Sequence, residues 1–124
     1  MKDGCDKPED LRARTKRFAL RIIRLYTAIR RDEATMVLGR QLLRSGTSVG
    51  AQYREACRAR SPAEFVSKLE SATQELDETG YWLELLVESG LVKPQRLDGL
   101  LAEVDELLAI FTASARTAKG GRHP

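Results

Sequence analysis

Apolar positions recur every three or four residues in four separate stretches, the period of one face of a helix. In the first, Leu11, Thr15, Phe18, Ile22, Leu25 and Ile29 advance by alternating steps of four and three. Asp6 and Glu9 have capping-box spacing and Pro8 suits a first helical turn, so this helix is predicted to start near Pro8. Arg30-Arg31-Asp32-Glu33 closes it and opens the second, expected over Glu33 to Arg60 with Leu38, Leu42, Val49, Tyr53 and Ala56 on one face. The third has the clearest start: Ser61-Pro62-Ala63-Glu64 supplies an N-cap serine, a proline at the first helical position and a glutamate completing a capping box. Phe65, Leu69, Ala72, Leu76, Thr79, Leu83 and Leu86 follow, and Gly90 is a natural stop. The fourth starts near Pro94 with the seam Leu97, Leu101, Val104, Leu108, Phe111 and Ala115.

Four amphipathic helices with short connections predict an all-α fold, an antiparallel up-down-up-down four-helix bundle. The expected organisation is a flexible N-terminus over residues 1–7, the bundle over 8–118 and a disordered tail over 119–124. The third helix is expected to be the longest, at about 28 residues, or about 42 Å at 1.5 Å per residue. With only 9 Gly and 4 Pro in 124 residues, the chain lacks the turn chemistry of a many-stranded sandwich or barrel. It has no apolar run long enough for a membrane span and no secretory leader, so a cytoplasmic location is expected.

Charge adds an asymmetry that the net value of +3 conceals. Residues 1–60 carry a net +8 and residues 61–124 a net −5. Such a division points to pairing within or between subunits, or to an anionic partner for the basic half. At about 100° per residue, Arg14, Arg17, Arg21 and Arg24 form one stripe on the first helix. Arg40, Arg44, Arg54 and Arg58 form another on the second, opposite its apolar face. Arginine's planar fork suits phosphate or carboxylate, so these eight are the candidate contacts for RNA or DNA backbone. A solvated face with salt bridges to Glu75, Glu78 and their neighbours fits the same pattern.

Two further segments break local rules. Arg44-Ser45-Gly46-Thr47-Ser48-Val49-Gly50-Ala51 puts poor helix formers in mid-helix, each glycine costing up to about 1 kcal/mol against alanine. Ser45, Gly46, Thr47, Ser48 and Gly50 therefore mark close helix or subunit packing, or a phosphate-binding site. A nucleotide-hydrolase phosphate loop is disfavoured, since no Gly-Lys-Ser/Thr follows and no strand precedes. Tyr81 and Trp82 spread apolar surface around the third helix, and read either as core or as a face covered by another subunit.

Enzyme chemistry finds few of the residues it needs. The single histidine is His123, so paired Glu-x-x-His motifs of a di-iron bundle are missing and serine, cysteine or lysine nucleophiles lack a histidine base. Neither a metal nor a cofactor is expected, and the reading is of a protein that is not an enzyme. Cys5 and Cys57 have no paired spacing and read as free thiols.

The segments Gln41-Leu42-Leu43-Arg44-Ser45-Gly46-Thr47-Ser48-Val49-Gly50-Ala51, Glu55-Ala56, Phe65-Val66-Ser67-Lys68-Leu69 and Glu78-Thr79-Gly80-Tyr81-Trp82-Leu83 together resemble the four-helix-bundle proteins encoded in 23S ribosomal RNA intervening sequences. The resemblance spans roughly residues 16–115, with Gln52 where such sequences place an asparagine. It implies an antiparallel bundle that assembles into a ring-shaped homopentamer. The family is also similar in fold to the accessory variability protein of diversity-generating retroelements, a basic pentamer that binds nucleic acid and a reverse transcriptase. The expectation is a non-enzymatic homo-oligomeric module whose arginines bind RNA or DNA backbone. The alternative is a protein-interaction scaffold, with an unidentified protein partner or with the arginines in intersubunit salt bridges.

Overall fold

The computed structural model describes residues 10–120 as four helices joined by short connections: α1 (Leu11–Ala28), α2 (Glu33–Cys57), α3 (Pro62–Glu88) and α4 (Pro94–Gly120). Each start is chemically marked. Asp10 caps α1 by accepting the Arg12 N–H at 2.9 Å. The expected Asp6/Glu9 capping box lies outside the described residues. Asp32 caps α2 through the Thr35 N–H at 3.0 Å and the Thr35 hydroxyl at 2.9 Å. Those two bonds from Thr35 hold the Asp32 carboxyl below its ordinary pKa. Ser61 caps α3 through the Glu64 N–H, while the Glu64 carboxylate returns to the Arg60 N–H at 2.8 Å, one residue before the usual capping-box target.

The stop at Gly90 is as expected. Its φ is +79°, and the Leu91 N–H reaches back to the Leu86 carbonyl while the Gly90 N–H reaches the Val87 carbonyl. That pair of bonds is a Schellman closure, which needs a left-handed residue at this position. The other limits shift slightly. Helix α2 ends at Cys57, three residues before the expected Arg60. Helix α4 runs through Gly120, so Lys119 and Gly120 are helical and the expected boundary at 118 falls two residues short; residues 121–124 lie outside the described residues. Helices α3 and α4 are both 27 residues long, so α3 is not longer than its neighbour.

Contacts run antiparallel throughout. Tyr26 and Ile29 meet Gly39, Ile22 meets Gly46 and Thr15 meets Gly50, so α1 descends as α2 ascends. Ser45 pairs with Thr79 and Glu55 with Lys68 between α2 and α3, and Gly80 meets Val104 between α3 and α4. Helix α1 meets α4 much more sparsely than the sequential neighbours α1–α2, α2–α3 and α3–α4 meet each other. The core is a continuous apolar cluster from all four helices, in which Tyr53 of α2 stacks on Phe111 of α4 at 5.7 Å. Burying aromatic and aliphatic surface of this kind contributes about 25 cal/mol per Å² and is what holds the helices together.

One seam differs from its expectation. In α4 the buried leucines are Leu97, Leu100 and Leu107, while Leu101 and Leu108 are only partly buried. Leu101 and Leu108 instead border a groove between α3 and α4. A run of paired leucines fits either register, and contact with two neighbouring helices selects this one. The free-thiol reading of Cys57 is also overturned: Cys57 is disulfide-bonded. Cys5 lies outside the described residues.

Candidate nucleic-acid and subunit interfaces

The Ser45–Gly50 segment is a packing device between three helices. A Cβ on Gly46 would lie 2.9 Å from Ile22 Cγ1, and one on Gly50 would lie 3.1 Å from Thr15 Oγ1. Gly39, which sequence reasoning passed over, extends the same stripe and is covered by Ile29 and Tyr26. Its seven-residue spacing from Gly46 is the signal that could have found it. About 100° around α2, Ser45 faces α3 instead. There Thr79 Oγ1 lies 2.9 Å from Ser45 Oγ and 2.7 Å from the Glu75 carbonyl oxygen, with both hydroxyl residues fully buried. Thr47 and Ser48 do not reach another helix: their hydroxyls donate to the Leu43 and Arg44 carbonyls of α2 itself. These bonds satisfy two polar groups that otherwise compete with helix formation.

The eight candidate arginines divide by partner. Arg14 of α1 spans to α4, donating from Nε and Nη2 to both oxygens of Glu103 at 2.7 and 2.8 Å and from Nη2 to Glu106 at 2.6 Å. Its side chain and that of Glu103 are only 15% and 16% exposed. The two hydrogen bonds from Arg14 hold the Glu103 carboxyl below its ordinary pKa, and Glu103 in turn raises the arginine. Arg44 of α2 spans to α3, bridging Glu75 at 3.2 Å and Glu78. For these two, the salt-bridge alternative holds within one chain. Arg17, Arg21 and Arg24 line a cleft on α1 of about 430 Å³, with Phe18, Leu20 and Glu103. Arg21 stretches over α4, where a Cβ on Gly99 would meet its guanidinium at 2.9 Å. Arg21 and Arg24 have no carboxylate within ion-pair distance among the described residues, and neither do Arg40 and Arg54 on the exposed side of α2 or Arg58 at its C-cap.

Tyr81 and Trp82 part company. Trp82 packs partly buried against the core, with its indole Nε1 buried and lacking a hydrogen-bond partner among the described residues. Tyr81 is 54% exposed, with its ring tilted against that of Trp82 at 5.2 Å, and lines a groove of about 500 Å³ between α3 and α4. Gly80 beside it is buried, and the Val104 methyl that a Cβ would meet at 3.2 Å shows why α4 can approach there. Asp77, Glu78, Glu84 and Asp105 rim this groove, which sequence reasoning missed because its residues come from two helices.

Among the described residues, no group of three or more His, Cys, Asp or Glu side chains is placed to hold a metal ion. No described helix is long and apolar enough to cross a membrane.

Comparison with known proteins gives this geometry a family. The sequence model of the 23S rRNA-intervening sequence protein matches residues 9–113. A solved structure from Bacteroides thetaiotaomicron VPI-5482, described as a protein with unknown function from the S23 ribosomal protein family, is 35% identical. It superposes with a TM-score of 0.80, covering 86% of this chain and 98% of that one. No curated protein matches significantly. With most of its length matched by the family, the chain belongs to the 23S rRNA-intervening sequence proteins.

Proposed function

We propose that the chain is a non-enzymatic, cytoplasmic, homo-oligomeric module that binds RNA or DNA backbone, with five copies the number the family resemblance implies. The observation that supports nucleic-acid binding is the outer side of α2. Arg40 and Arg54 stand exposed there, and Arg58 at the C-cap, without a carboxylate partner among the described residues, flanking an Arg44 held in place by α3. Unpaired guanidinium groups on a rigid helix suit phosphate oxygens, and with no base-reading motif such binding is electrostatic and insensitive to sequence. Fluorescence anisotropy with a structured RNA and a duplex DNA at low salt tests it. Binding that weakens when the three arginines become glutamine supports the reading, and absence of binding by the wild type removes it.

The α1 stripe favours the second reading, contact between subunits. Arg17, Arg21 and Arg24 lie beside Leu20 and Ile23, which are 42% and 39% exposed. Arginine mixed with exposed aliphatic surface is the composition of a protein interface rather than of a purely phosphate-binding face.

A further inference from the structure

We propose that the α1 cleft of one copy docks into the Tyr81 groove of a second copy, joining subunits head to tail. This rests on the homo-oligomer reading above and names the two surfaces that meet. The cleft offers Arg21 and Arg24 around exposed Leu20. The groove offers Asp77, Glu84 and Asp105, none of which has an ion-pair partner among the described residues, around exposed Tyr81. Each surface therefore has an apolar centre and a rim of one charge, and the charges are opposite.

The pairing is also selective. Two α1 clefts brought face to face would oppose arginines, and two Tyr81 grooves would oppose carboxylates, so a symmetric contact through either surface is disfavoured. A contact between unlike surfaces is heterologous, and successive copies form a ring where the rotation closes. Both surfaces border α4, one with α1 and one with α3. They lie on neighbouring sides of the bundle, so each added copy turns in the same sense, as a small closed ring requires. The arrangement explains why the chain divides into a basic and an acidic half while leaving groups of both signs unpaired within one copy. It also leaves the α2 arginines outside the contact.

Two charge-reversed full-length variants test this by light scattering and sedimentation. Arg21→Glu with Arg24→Glu disables the cleft, and Glu84→Lys with Asp105→Lys disables the groove. The wild type is expected well above 13.9 kDa and each variant alone at 13.9 kDa. An equimolar mixture is expected to regain a mass well above twice 13.9 kDa, because the intact cleft meets the intact groove while the reversed cleft and the reversed groove again carry opposite charges. Helical circular dichroism and a cooperative thermal transition confirm that each variant folds, with a Tm below that of the assembled wild type expected once subunits separate, and Arg21→Gln with Arg24→Gln gives a milder check. Variants that keep the wild-type mass, or folded variants that do not pair, overturn the head-to-tail contact while the oligomer reading stands. A monomeric wild type overturns the oligomer reading itself.

Discussion

Ile22 on α1 lies directly over Gly46 on α2: a Cβ built on the glycine would be 2.9 Å from Ile22 Cγ1 and 3.0 Å from Cγ2. Both isoleucine carbons sit close to a stiff β-branched centre in the core, so neither can swing aside. Gly46→Ala is therefore expected to destabilise the fold by about 1–3 kcal/mol, the cost of overpacking, despite alanine's better helix propensity. Gly99 makes the contrast. Its crowding neighbour is the far end of the flexible Arg21 side chain, so Gly99→Ala is expected to be neutral or to stabilise by up to about 1 kcal/mol. Urea unfolding of both variants measures the difference; equal effects would contradict the packing described.

The Ser45–Thr79 contact should behave as a coupled pair. Ser45→Ala leaves the Thr79 hydroxyl with the Glu75 carbonyl, so its cost is expected to be about 0.5–1.5 kcal/mol. Thr79→Val leaves Ser45 with only a 3.4 Å approach to the Leu42 carbonyl and is expected to cost more. In a double-mutant cycle the combined change should cost less than the sum by at least about 0.5 kcal/mol. Strict additivity would show that the hydroxyls are energetically independent.

Acid sensitivity follows from Glu103. Folding lowers its pKa, chiefly through the hydrogen bonds from Arg14. The resulting stabilisation is complete above the ordinary carboxylate value of 4.5 and is lost as the pH falls through the lower folded value. Thermal melts of wild type and Glu103→Gln should therefore differ most near neutral pH and converge as the pH falls through the lowered folded value. A gap that stays constant down to that pH would show that the Arg14 bridge contributes nothing through ionisation.

Local chemistry was legible in the sequence wherever one helix settles the matter. The cap at Ser61, the stop at Gly90 and the core faces of α1 and α3 follow from spacing alone. What depends on two helices was not. Leu100 and Leu107 cannot be told from Leu101 and Leu108 until α4 is packed against the rest of the bundle. The same holds for the arginines: Arg14 and Arg24 share a stripe, yet only Arg14 has a glutamate opposite it on α4. Glycine spacing announced close packing at Gly46 and Gly50 but gave no sign that Ser45 would turn to α3 while its neighbour turned to α1.

The central claim, that α2 binds nucleic-acid backbone through Arg40, Arg54 and Arg58, is tested most directly by the salt dependence of binding. Each phosphate neutralised on duplex DNA contributes about −0.9 to the slope of log K against log salt. Replacing all three arginines with glutamine should flatten the wild-type slope by about 0.9 for each arginine removed and weaken binding alike across unrelated sequences. An unchanged slope, or a wild type that binds neither RNA nor DNA at low salt, would contradict the account.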